Sequence, residues 1–130
     1  MGAARTVRTR MDGQPVTIEE LAGEARRLSD LLDRGIAALR DAAREFADAE
    51  HAYRLAHAQA YLQSEGTVGE REAQTYVAVG TLRRDRDYAD AIRTAALEAV
   101  RSRRTQLSAV QSLLAAHKAE AEFARTTVGP

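Results

Sequence analysis

The chain has 130 residues and a formal net charge of zero at pH 7, a length that suits one domain. It contains no cysteine, which excludes a disulfide framework and a thiolate metal site. No apolar run approaches the roughly 18 residues needed to cross a bilayer, so a soluble, cytoplasmic protein is expected.

Alanine occurs 27 times, aromatic residues make up 5%, and the prolines are Pro15 and Pro130. Nothing between 16 and 129 is therefore forced out of a helix by a proline ring. Alanine is the best helix former, and so few rings suit helices packed closely through small side chains. The expected fold is all-α: a long antiparallel helical hairpin, coiled-coil-like and oligomeric.

Residues 1–16, with Arg5, Arg8 and Arg10, read as a flexible N-terminal arm. The helical hairpin domain is expected over 17–125. It opens on "TIEE", a capping box in which Thr17 accepts from a backbone N–H and Glu20 reaches back to the cap amide. From there apolar or small residues follow at steps of three and four: Ile18, Leu21, Ala25, Leu28, Leu32, Gly35, Leu39, Ala42, Phe46, Ala49, Tyr53, Ala56 and Ala60. That spacing marks a heptad seam on a first helix running to about 65.

The helix should stop at "EGTVGE". Gly66 suits the left-handed residue that follows a helix end, and Thr67 with Glu70 forms a second capping box. Two caps separated by one glycine predict a tight turn near 66–67 between antiparallel helices. A second helical run covers about 68–125. Its seam is expected to pass through Tyr88, Ile92, Ala95, Ala99, Arg103, Leu107, Val110, Leu114, His117, Ala121 and Ala124. The pattern fails around "VGTLRRDRD", where a break near Gly80 would divide the run into a short and a long helix. Residues 126–130 should fray.

Leu31, Ile36, Tyr61, Val77, Leu97 and Leu113 fall beside the seams. They widen the apolar face beyond what one partner helix covers. Either the second run folds back into a three-helix bundle or several chains share the surface; self-assembly is the favoured alternative.

No catalytic residue, cofactor or metal ligand set stands out. Asp48 and His51 share a helix face, but a di-iron site needs Glu-x-x-His twice plus two further Glu. Phosphate-binding loops, dinucleotide fingerprints and zinc-protease motifs are missing, and no enzyme is expected. The zero net charge hides an asymmetry: residues 17–65 carry six Arg against ten acids, while 99–119 contain no acid. Arg101, Arg103, Arg104 and Lys118 in that acid-free stretch are candidate nucleic-acid contacts, with tyrosines as stacking surfaces. The competing reading pairs those cations with the acidic first helix.

Two stretches, "AYRLAHAQAYLQSEGTVGEREAQTYVAV" and "YADAIRTAALEAVRSRRTQLSAVQSLL", resemble the UvsY-type recombination mediators of tailed phages. The likeness lies in an Ala-rich helix with an aromatic just before a Gly turn, an acidic helix start, and a later helix with its Ser-Arg pair, here Ser102 and Arg103. It implies a homo-oligomer that binds single-stranded DNA and helps load a recombinase onto strands coated by a single-strand-binding protein. The family also carries a basic pair just before the turn's aromatics, where this chain has only Arg54 and His57; Arg54 joins the candidate contacts on that ground. The alternative class is a structural or chaperone-like coiled-coil protein, for phage assembly or partner binding, with no DNA binding.

Overall fold

A computed structural model describes residues 16–127. Most of the expected arm, and the tail from 128 on, lie outside the described residues. Three helices carry the regular structure: α1 (Ile18–Gln63), α2 (Val68–Ala78) and α3 (Gly80–Thr127). The break expected near Gly80 is present, and α3 runs two residues past 125. No helix among the described residues is long and apolar enough to cross a membrane.

The first capping box forms in full, and the second forms in its Thr67 half. Thr17 Oγ1 accepts from the Glu20 amide at 3.1 Å, and the Thr17 amide donates to Glu20 Oε1 at 3.0 Å. At α2, Thr67 Oγ1 accepts from the Glu70 amide at 3.2 Å. Each bond satisfies a helix-end donor that has no partner within the helix. Gly66 adopts φ +107°, a conformation that costs an L side chain energy. The Glu70 side chain also folds back over its α-carbon, into the space a Cβ would take.

Gln74 completes the turn. Its Nε2 donates to the Glu65 carbonyl at 2.8 Å and its Oε1 accepts from the Glu65 amide at 3.3 Å. Ser64, buried, donates through Oγ to the Tyr61 carbonyl at 2.6 Å. The end of α1 and the first turns of α2 are thus tied by side chains as well as by the chain.

The α2–α3 junction is a kink rather than a reversal. Val79 N bonds Thr75 O at 3.0 Å and Arg83 N bonds Val79 O at 2.9 Å, so α-helical bonding continues across it. Buried Thr75 donates its hydroxyl to the Arg71 carbonyl at 2.8 Å, a bond of the kind that bends helices. The run therefore does not fold back into a third layer at this point.

The chain divides into two compact units. One comprises 18–34 of α1 with 101–127 of α3. Its buried apolar residues are Leu21 and Leu28, with Leu107, Val110, Leu113 and Leu114 half-buried. The other, residues 35–100, is a helical hairpin: the rest of α1, the turn, α2 and the start of α3. Its buried apolar residues are Ala42, Val79 and Val100. Val100 packs over Gly35, where an added Cβ would meet Val100 Cγ2 at an ordinary 3.5 Å.

All thirteen seam residues read along α1 are buried or half-buried. The seam read along the first part of α3 is corrected. Tyr88, Ile92, Ala95 and Ala99 are exposed, and the inward positions are buried Val79 and Val100 with half-buried Leu82, Arg83, Arg86, Ala89, Asp90, Arg93, Ala96 and Leu97 between them. Arginine holds three of those places, 83, 86 and 93, and a hydropathy pattern does not register it as core.

Candidate functional site

In the 35–100 unit the inward arginines lie on aromatic rings. The Arg86 guanidinium carbon is 4.3 Å from the Tyr53 ring centre and that of Arg93 is 4.7 Å from Phe46. Seven residues separate the two rings on α1 and seven separate the two arginines on α3, which fixes the antiparallel register. Arg83 covers Tyr76 at 3.7 Å, and Arg71 approaches Tyr61 at 5.7 Å. A cation over a ring face is attracted by the ring quadrupole, and the methylene stem of arginine covers apolar surface on the way.

Polar contacts hold the other side of these guanidiniums. Arg86 reaches Glu50 at 3.6 Å and Asp87 at 2.8 Å. Its pKa is raised, chiefly by the hydrogen bond to Asp87. Arg93 reaches Asp90 at 2.5 Å, while its Nε is buried without a hydrogen-bond partner among the described residues. Arg83 Nη1 donates to the Tyr76 carbonyl at 3.2 Å, tying the last turn of α2 to α3.

Tyr53, Tyr61 and Tyr76 line one groove of about 470 Å³, with His57, Glu72 and Arg83. The Tyr53 and His57 rings stand 5.9 Å apart and tilted by 56°. The groove offers ring faces and mixed charge. Sequence reading identified the tyrosines as stacking surfaces but missed Arg71, Arg83, Arg86 and Arg93. The legible signal was the matched spacing of seven between Phe46 and Tyr53 and between Arg86 and Arg93.

Four of the five candidate contacts lie in the other unit, on α3. Arg101, Arg104 and Lys118 are exposed, and Arg103 is half-buried on the inward side. Among the described residues no ion pair holds Arg103, Arg104 or Lys118, so the expected pairing of these three with the acidic first helix is not what the structure shows. An ion pair between α1 and α3 is formed instead by Arg86 and Glu50. Arg54 is separate from this set, in the 35–100 unit; its side chain is 76% exposed and pairs with Glu50 at 3.7 Å. No group of three or more metal-binding side chains occurs among the described residues.

Comparison with protein-family models, with curated proteins and with solved structures finds no match.

Proposed function

We propose that this chain is a non-enzymatic accessory protein of phage DNA recombination. As a homo-oligomer in the host cytoplasm it binds single-stranded DNA without sequence preference and helps load a recombinase onto strands coated by a single-strand-binding protein. The observation that carries this reading is the exposed set Arg101, Arg104 and Lys118 on the acid-free stretch 99–119. Arg104 and Lys118 have no carboxylate partner among the described residues, so their charge is available to phosphates. The likeness of 52–79 and 88–114 to UvsY-type mediators supports the same reading. Arg103, half-buried, is the least available of the four.

Phosphate neutralisation releases counterions, and each contact on a single strand adds about −0.7 to the slope of log K against log salt. Several copies of a weak site on one assembly raise avidity through effective concentration. The test is fluorescence anisotropy of a labelled oligo-dT 30-mer over a range of salt. Binding that weakens with salt is expected, and Arg101→Ala, Arg104→Ala and Lys118→Ala together should reduce the slope by about 2 per copy engaged. Helical content should stay unchanged, because all three side chains are exposed. No binding at low salt would overturn the reading.

The second reading is a structural or chaperone-like hairpin with no DNA binding. Its support is the exposure of Leu55, Leu62, Val68, Tyr76 and Val77, which suits an apolar partner rather than a phosphate backbone.

A further inference from the structure

Two rows of side chains line the tyrosine groove of the 35–100 unit. On α1, Tyr53, His57 and Tyr61 follow at steps of four, which places them along one side of the helix. On α2, Glu72 and Tyr76 are again four apart. Arg83 joins them seven residues on, across the kink where helical bonding continues. Val79 is the one aliphatic residue in the lining, and it is 2% exposed. The groove therefore offers a ligand rings and polar edges, with little surface for an alkyl chain.

Three features say what fits. The first is open ring surface: Tyr76 is 63% exposed even with the Arg83 guanidinium 3.7 Å from its ring centre. The second is charge. Arg71 and Arg83 lie over Tyr61 and Tyr76, and no carboxylate pairs with either among the described residues. Guanidiniums already hold ring faces here and at Tyr53, so a cationic ligand is disfavoured and an anionic group is welcome. The third is unused hydrogen-bonding capacity. The phenol oxygens of the three tyrosines, the His57 nitrogens and the Glu72 carboxylate bond to no other described residue. They supply donors and acceptors around a space of about 470 Å³, within the size range of small-ligand sites.

We propose that this groove takes one nucleotide, its base against the tyrosine rings and its phosphate drawn by Arg71 and Arg83. A flat ring meets the first condition and a phosphate the second. The third is met by the pairing edge of an unstacked base, which carries both N–H groups and acceptor atoms; Glu72 accepts from the former. Every base has a π face, so such a site needs no sequence preference. The inference deepens the single-strand reading above and rests on it for the source of the base. A free mononucleotide has the same chemistry, and the test separates the two.

Full-length protein is titrated into two labelled 30-mers of equal charge, oligo-dT and an abasic strand, with anisotropy as the readout. Wild type should bind oligo-dT about tenfold more tightly. Tyr76→Phe should keep that preference, and Tyr76→Ala should lose most of it with helical content unchanged. Arg101→Ala with Arg104→Ala should weaken both strands alike. Equal binding of the two strands by wild type, or a preference that Tyr76→Ala leaves intact, overturns the proposal while the phosphate contacts on α3 stand.

Photo-cross-linking of wild type to a strand carrying iododeoxyuridine needs no variant. Adducts on Tyr53, Tyr61 or Tyr76 are expected; adducts confined to Tyr88, exposed and outside the groove, overturn the proposal. Failure of both strands to bind at low salt sinks the single-strand reading instead, and saturation-transfer NMR with thymidine monophosphate then decides the groove. Transfer to the thymine protons that Tyr76→Ala abolishes keeps it as a mononucleotide site; no transfer overturns it.

Discussion

Arg86 sits with its guanidinium 4.3 Å from the centre of the Tyr53 ring and 3.6 Å from the Glu50 carboxylate. An inward helix position that would ordinarily hold a leucine is filled by a charged side chain. The ring lies under the cation, and the Glu50 and Asp87 carboxylates lie beside it. The contact is local to the 35–100 unit and should behave as a coupled pair. Tyr53→Leu and Arg86→Met are each expected to lower the midpoint of thermal unfolding. The double variant should lose less than the two losses added, because the second change finds the contact already gone. Strict additivity in a double-mutant cycle would show that the pair contributes nothing.

Two glycines predict opposite signs. Gly66 has φ +107° and the Glu70 side chain over its α-carbon, so Gly66→Ala should destabilise by about 1–2 kcal/mol. Gly35 lies inside α1, where a Cβ would meet Val100 Cγ2 at an ordinary 3.5 Å. Gly35→Ala should therefore stabilise, by up to about 1 kcal/mol from helix propensity. Urea denaturation of both variants decides; the same sign for both would contradict this account of the turn and of the α1–α3 approach.

Leu28 is 2% exposed and Leu62 is 81% exposed. Leu28→Ala is expected to cost about 2–5 kcal/mol. Leu62→Ala should stay within about 0.5 kcal/mol. If Leu62→Ala were the costlier change in unfolding experiments, the inward stripe of α1 would be wrongly placed.

Capping of α2 is testable in the same assay. Thr67 Oγ1 accepts from the Glu70 amide, and Thr67→Ala should cost about 1 kcal/mol. Thr67→Ser keeps the acceptor and should recover most of it. A serine variant no better than alanine would argue against the cap.

On α1, Arg27 donates to both Glu24 oxygens, at 2.9 and 2.6 Å. These hydrogen bonds hold the Glu24 carboxyl below its ordinary range. The charged form is favoured in the folded chain, so this contribution is present above the ordinary carboxylate pKa. It is lost as pH falls through the lowered value. The pair is exposed and the effect small. Glu24→Gln should slightly flatten the fall of the thermal midpoint on acidification; an unchanged acid limb would remove the pair from the account.

The helix ends were legible in the sequence because caps are local. A threonine three residues before a glutamate, and a glycine just past a helix end, work through atoms at most four residues apart. The inward stripe of α1 was legible for a related reason: its residues are nearly all apolar or small, and their spacing alone selects one face. The start of α3 was not legible in this way. The apolar stripe with seam spacing, Tyr88 to Ala99, faces solvent, and the inward face sets Arg86 and Arg93 among Leu82, Ala89, Ala96, Leu97 and Val100. Those arginines are inside because Tyr53 and Phe46 arrive opposite them at the matching spacing of seven, and Glu50 beside Arg86 supplies a counter-charge. Whether an arginine is a surface charge or a packed seam residue depends on what stands across from it, and only the tertiary structure decides that. The same holds for Gln74, whose amide closes the turn on Glu65 across nine residues of sequence.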